Sequence, residues 1–304
     1  MVAMTFFSMI KTSNGNKILS PLTYHSCREK STFPACPEKK IVVYSHIIFK
    51  GETRVKDFKQ EVTENSYFRQ EELVFWDCDR EKRMRVAAML SKMAAFAGYD
   101  YDARGLTHEK LYAMREVFLL SRAAVKIHAC PRARDLLDIT TWENGARGAH
   151  MQRVFEMRDQ AGRLCVSAKS DWILVDPLTR KILRPGSFMA KPLTVCPVEI
   201  DCPEPKKIVL PKEGVEDLGH RTIRWSDLDG NGHLFSGNYG DIVWDALPED
   251  LQPRVPREFY INYSKEATLG EDLRLAGFRE GDTYRMEGMG PGGPCFTVLC
   301  VFGE

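Results

Sequence analysis

The chain has 304 residues, 43% hydrophobic and 28% charged, an ordinary globular composition with enough length for two packed cores. A formal net charge of +1 with both signs interleaved excludes the basic footprint of a nucleic-acid binder and gives no reason to expect a membrane surface. Nine cysteines without CxxC or Cys/His spacing read as thiols of a reducing compartment, so the cytoplasm is the default location and neither a metal nor a cofactor is expected.

Residues 1–65 carry scattered Ser, Thr and Lys and few acidic groups before Glu38, and are expected to form a disordered or poorly structured extension. The opening MVAMTFFSMI is apolar but lacks a basic start, and no run in the chain reaches the ~18 apolar residues of a membrane span. An acid-poor, hydroxyl-rich start also fits a plastid transit peptide. Ile41–Phe49 (IVVYSHIIF) has the composition of a stray strand.

Regular patterning begins near Tyr67. A strand-like lead, FWDCD, precedes a helix over Met84–Gly98 that is apolar nearly all round and therefore has to be enclosed. Its small residues Ala87, Ala88, Ala94, Ala95 and Gly98 share a stripe, which leaves space either for close packing or for a ligand. Strand patterns follow over Val117–Ile127, Leu136–Trp142, Gln152–Asp159 and Leu164–Val175. One helix wrapped by a sheet is implied for residues 66–190, and the proline-rich segment 191–212 reads as a linker.

Residues 213–304 repeat this order. Asp227-Leu-Asp229 parallels Asp77-Cys-Asp79, Trp225 parallels Phe75, and EDLRLAGF parallels DLLDITTW, as in a decayed tandem duplication. Gly288–Gly293 lacks a GK[ST] ending and lies between strand-like runs, so it reads as a hairpin rather than a phosphate loop. Cys295 and Cys300, with strand neighbours on both sides, read as small buried apolar groups.

The chemistry-bearing stretch is WSDLDGNGH followed by an apolar helix over Phe235–Leu247. In an extended backbone Asp227, Asp229, Asn231 and His233 share one face, where they can hold a water molecule. An EF-hand loop is a competing reading of the same aspartates, but position 12 is Asn238 where a bidentate Glu is required. A plain polar turn is another. Neither uses Glu266, which an adjacent strand would bring to the same place. The first copy has Glu81 and Arg83 where the second has Asn231 and His233, so only the second copy is equipped for catalysis.

WSDLDGNGH, the helix ending DALP, and YSKEA together resemble the acyl-ACP thioesterases of bacteria and plastids; FWDCD, LLSRAAVKI, DITTW and DWILVDPLTRKILRP extend the likeness over about residues 66–304. The resemblance implies an α+β tandem hotdog, each copy a long helix wrapped by an antiparallel sheet, assembled as a monomeric pseudo-dimer or a homodimer. It implies hydrolysis of an acyl thioester on acyl carrier protein by Asp229, Asn231, His233 and Glu266, ending fatty acid biosynthesis with release of free fatty acid. The general base is Asp229 or Glu266, with oxyanion donors expected at the start of the second helix. The acyl chain is expected along the first helix, against Met84, Ala88, Ser91 and Ala95. Plant members carry a cysteine directly after the Glu, and here that place is Ala267; Phe235-Ser236 stands where members commonly carry Asn-Asn. Other readings are a hotdog thioesterase for acyl-CoA and a non-catalytic acyl-carrier or lipid-binding module.

Overall fold

The computed structural model describes residues 8–11, 17–20, 58–189 and 195–303. The chain divides into two compact units, residues 1–54 and 55–304. In the first, β1 (Ser8–Lys11) pairs antiparallel with β2 (Lys17–Ser20), so part of the expected extension is a hairpin. The strand expected over Ile41–Phe49 lies outside the described residues.

Among the described residues, the second unit contains one antiparallel sheet of eleven strands together with the helices. Its first copy contains β3 (Gln60–Val62), β4 (Tyr67–Glu72), α1 (Val86–Ala103), α2 (His108–Ala113), β5 (Val117–Ile127), β6 (Leu136–Arg147), β7 (His150–Arg158), β8 (Leu164–Val175) and the short α3 (Pro185–Met189). Its second contains β9 (Glu216–Thr222), α4 (Asn238–Ala246), β10 (Glu258–Tyr263), β11 (Asp272–Glu280), β12 (Thr283–Gly290) and β13 (Gly293–Val301). The strand order β3-β4-β6-β7-β8-β5-β10-β13-β12-β11-β9 runs β4-β6-β7-β8-β5 through one copy and β10-β13-β12-β11-β9 through the other. The two are mirror-ordered about the antiparallel β5–β10 pair, in which Phe259 faces Val125 and Ile261 faces Ala123. This is the tandem hotdog that the family resemblance implies, built on the repeat that the sequence shows.

The repeat extends to single hydrogen bonds. A 3-10 turn precedes each main helix, at Phe75–Asp77 and Trp225–Asp227. The bridge Cys78–Met84 has its counterpart in Leu228–Leu234, and Arg83–Arg132 in His233–Thr268. One continuous core spans both copies, from Met89, Leu90, Met93 and Phe96 of α1 to Ile242 and Val243 of α4. Each such side chain, fully buried, contributes about 1.5–3 kcal/mol before the entropy of ordering is subtracted.

The helix pair fixes where α1 is covered. A Cβ on Gly240 would lie 2.7 Å from the Ala87 nitrogen, so that glycine is required for the approach of α4 to the α1 backbone, and one on Gly237 would lie 2.1 Å from Ser91 Oγ, so the Ser91 side chain would have to move. The Gly288–Gly293 segment is the β12–β13 hairpin, with Cys295 and Cys300 buried in β13. No helix among the described residues is long and apolar enough to cross a membrane.

Candidate active site

Asp229 organises the turn that carries the polar cluster. Its Oδ1 accepts the backbone N–H of Asn231 at 2.8 Å and of His233 at 3.2 Å, while its own N–H donates to the His233 carbonyl at 2.8 Å. Asp79 makes the same turn in the first copy, accepting from Glu81 N at 2.8 Å and Arg83 N at 2.9 Å. The aspartate is thus a property of the duplicated fold, and the chemistry differs in what the turn presents. Asp227 faces away from the cluster: its carboxylate accepts two bonds from Arg221 and one from Arg224 N. That pairing removes the calcium-loop reading, because the first ligand position is already filled by a guanidinium.

Glu266 follows β10, whose continuation lies beside the turn, since Leu234 N donates to the Ala267 carbonyl at 2.8 Å. Its Oε2 lies 3.5 Å from His233 Nε2 and 2.5 Å from a terminal nitrogen of Arg180. Arg180 belongs to the first copy, in a turn after β8 that is capped by Asp176 Oδ1 accepting from Leu178 N and Thr179 N. The sequence reading did not single it out.

Asn231, His233, Glu266 and Arg180 line one cleft of about 500 Å³. Its opposite wall is apolar and comes from the first copy, chiefly Ala94, Ala97 and Gly98 of α1 with Leu111, Phe118 and Trp172. The cleft is therefore assembled across the two copies. Asp229 is not part of its wall, and no residue of α4 is either, so the expected backbone donors at the start of α4 are not placed at this cleft. That helix start is held instead by Asn238 Nδ2 donating to the Asp227 carbonyl at 3.0 Å, and by Tyr263 OH donating to Ser236 O at 3.1 Å.

The four residues expected to touch the acyl chain lie elsewhere. Met84 and Ala88 are buried in the shared core, Ser91 Oγ donates to the Ala87 carbonyl at 2.7 Å beneath Gly237, and Ala95 is half-buried outside the cleft. α4 covers Ala87 and Ser91 on the first turns of α1, and the same side of the helix continues further along in Ala94, Ala97, Gly98 and Tyr101, which face the cleft at i, i+3, i+4, i+7 spacing; Ala88 and Ala95 lie about 100° round from Ala87 and Ala94.

A second cleft of about 510 Å³ is the counterpart in the other copy, lined by Asp79, Arg83 and Arg85 on one side and by Gly240, Asp241 and Trp244 of α4 on the other. Met84 N donates to the Pro131 carbonyl as Leu234 N does to Ala267, which puts Cys130 at the place of Glu266. Burial pushes the Cys130 thiol up to about 11, so it offers no base at neutral pH. A His128–Ser167–Asp201 grouping also exists, with His128 Nε2 2.9 Å from Ser167 Oγ. The Ser167 hydroxyl donates to the Asp201 carbonyl at 2.6 Å, so its proton is directed away from the imidazole and the group is structural.

Among the described residues, no group of three or more His, Cys, Asp and Glu side chains is arranged to hold a metal ion.

Comparison with known proteins adds a separate line of support. Residues 64–186 match the family description "Acyl-ACP thioesterase N-terminal domain" and residues 214–286 match "Acyl-ACP thioesterase C-terminal domain". A chloroplastic acyl-[acyl-carrier-protein] hydrolase of Cuphea viscosissima is 25% identical over 179 residues, covering 56% of this chain and 43% of that protein. The chloroplastic palmitoyl-acyl carrier protein thioesterase of Arabidopsis thaliana is 24% identical over 177 residues, 56% of this chain and again 43% of its own length. The match thus spans less than half the length of these curated relatives. Among solved structures, an acyl-ACP thioesterase from Bacteroides thetaiotaomicron superposes with a TM-score of 0.69 at 23% identity, over 78% of this chain and 98% of that one. The 12:0-ACP thioesterase of Umbellularia californica gives 0.67 at 18% identity, over 78% and 96%. At these identities the structures establish the shared fold.

Proposed function

Because the chain belongs to the acyl-ACP thioesterase family, we propose that it hydrolyses an acyl thioester on acyl carrier protein with an activated water, releasing the free fatty acid and the carrier's thiol. The observation that carries this reading is the single cleft in which Asn231, His233 and Glu266 of the second copy face an apolar wall from the first. The polar end suits a thioester, and the apolar wall suits its chain.

In this reading Glu266 takes a proton from water as the hydroxyl oxygen attacks the carbonyl carbon. What supports Glu266 over Asp229 as the base is position: Glu266 lines the cleft, whereas Asp229 spends an oxygen on two backbone N–H groups. Asp229 is then a positioning residue. Negative charge develops on the carbonyl oxygen, and the Asn231 carboxamide, the His233 imidazole and the Arg180 guanidinium are the donors within the cleft. A preorganised donor of this kind is worth about 3 kcal/mol of barrier. Collapse of the tetrahedral intermediate breaks the C–S bond, and the proton held by Glu266 or His233 passes to the departing thiolate. With Ala267 after Glu266, no thiol takes part at that place.

The curated relatives are chloroplastic by name, which favours a plastid location over the cytoplasmic default. The test is release of free thiol from acyl-ACP and acyl-CoA of matched chain length by the purified protein. Faster turnover of acyl-ACP supports the reading; preference for CoA makes the chain an acyl-CoA thioesterase, and binding without turnover makes it an acyl-binding module.

A further inference from the structure

We infer that a buried ionic floor formed by Arg153, Glu143, Asp100 and Tyr101 sets the longest acyl chain that the cleft accepts; the inference rests on the chain being an acyl thioesterase. Arg153, Glu143 and Tyr101 line the same cleft as Asn231, His233 and Glu266. They are not at its mouth. Arg153 is 1% exposed and lies in the middle of the first copy's sheet, facing Glu143 on β6 and Ser170 on β7's other neighbour, β8.

Depth follows from the strand register. Val175 lines the cleft at the end of β8 that leads to Arg180 and its partner Glu266, whereas Ser170, the partner of Arg153, lies five residues back on the same strand. Five residues of strand span roughly 17 Å. An acyl group with its carbonyl at Glu266 is inferred to place its methyl end against Arg153.

The floor is polar and closed upon itself. The Arg153 guanidinium donates to Asp100 Oδ2 at 2.9 Å, to Thr141 Oγ1 at 3.3 Å and to Glu143 Oε1 at 2.5 Å, using three of its five N–H donors. Its carbon lies 4.8 Å from the centre of the Tyr101 ring, and the Tyr101 hydroxyl donates to Glu143 Oε1 at 2.7 Å. Asp100 is held a second time by Arg104 Nε at 2.8 Å. Arg153, Asp100 and Glu143 are already dry and paired with one another, so a methyl group driven further has to part charged groups and returns no hydrogen bond. The side chains cannot swing aside, because each is held by at least one other and an uncompensated charge would be left in the core. Hydrocarbon thus ends where the guanidinium begins, and the limit is chemical as well as steric.

The distinction between a polar and a merely solid floor is measurable on the wild-type protein. Hydrolysis is measured for saturated acyl-ACPs of increasing length, alongside ω-hydroxyacyl-ACPs of the same lengths. The expected result is a drop of roughly tenfold or more at one chain length, about the effect of one unpaired polar contact, most of which a terminal hydroxyl recovers. In Glu143→Leu/Arg153→Met, one charge of each sign is removed while Asp100 keeps Arg104, and the limit is expected to move to longer chains with the hydroxyl effect lost. A hydroxyl that gives no recovery in wild type overturns the inference, whatever the variant does. So does a folded double variant with an unchanged length profile. The same comparison is made by binding of the free acids, so a protein that hydrolyses no thioester sinks the catalytic reading while the binding data still judge the floor.

Discussion

Arg180 and Glu266 are 86 positions apart, lie in different copies of the repeat, and meet at 2.5 Å beside His233. The pair joins the two halves of the cleft. Arg180 is 60% exposed and Glu266 31%, so solvent screens the contact and its value to folding is small. In the proposed mechanism its value to turnover is larger, because the guanidinium is a fixed positive charge next to the attacking water and the forming oxyanion. Arg180→Ala is expected to lower kcat by 10- to 100-fold with Tm nearly unchanged, and Arg180→Lys to recover part of that rate. Steady-state kinetics with a melting curve on each variant decide it.

Glu266→Gln removes the proposed base while preserving shape and is expected to cost 10²- to 10⁴-fold in kcat. Asn231→Ala and His233→Ala are expected to cost about 10²-fold each, without additivity if the donors act on one oxygen. Near wild-type rates in all three variants would falsify the site.

Asp229→Ala differs in kind. Two backbone N–H groups lose their acceptor, so a stability loss of about 1–2 kcal/mol is expected in addition to a lower rate. Asp229→Asn, which keeps an acceptor oxygen, should retain most of both if the residue only positions the turn. A rate as low as that of Glu266→Gln in a fully stable Asp229→Asn would instead make Asp229 the base.

Cysteine chemistry gives a prediction in pH. Burial raises the thiols of Cys130 to about 11 and Cys202 to about 12, and raises Cys165 and Cys295 as well. At pH 7.5 these groups are protonated and unreactive, so alkylation under native conditions is expected to leave activity intact. Because the folded state holds these protons more tightly than the unfolded chain does, stability falls as pH rises past the ordinary thiol value near 8.5. Melting curves from pH 7 to 11 should decline over that window. Loss of turnover in step with the labelling of one cysteine would count against an activated water.

The ionic floor carries a stability cost of its own. Arg153→Met alone leaves Glu143 buried without its guanidinium and is expected to cost about 3–5 kcal/mol, whereas Glu143→Leu/Arg153→Met together should cost much less. Denaturant titrations of the two proteins give the comparison directly.

What was legible in the sequence was local. Asp-x-Asn-x-His on one turn and the helix after it are short-range patterns, and the repeat of that pattern 150 positions apart, Asp79 to Asp229, exposes the duplication. Arg180 was not legible, because a basic residue in a turn carries no periodic signal and its partner is in the other copy. Arg153 and Glu143 were hidden for a different reason. Strand alternation assigns a charged residue to solvent by default, and only the neighbouring strands and α1 reveal that this face is inward. Which residues of α1 face the cleft was not legible either: Ala94 and Gly98 line it, whereas Ala88 and Ala95 do not. Periodicity finds the stripe of small residues, but which part of it is covered depends on Gly237 and Gly240, from a helix more than 130 residues away.

The seam between β5 and β10 has a consequence for how such a chain can change over generations. In a dimer of identical hotdogs every residue would serve both clefts, so a substitution that reshaped the acyl wall would alter two sites at once. Here the active cleft takes its wall from the first copy and its polar cluster from the second, while the other cleft presents Trp244 at the place where Ala94 stands in the first. On the proposed function, substitutions on the open face of α1 are expected to adjust chain selection without touching the residues that activate the attacking water. On that reading, fusion of the two copies makes selectivity and chemistry separately heritable.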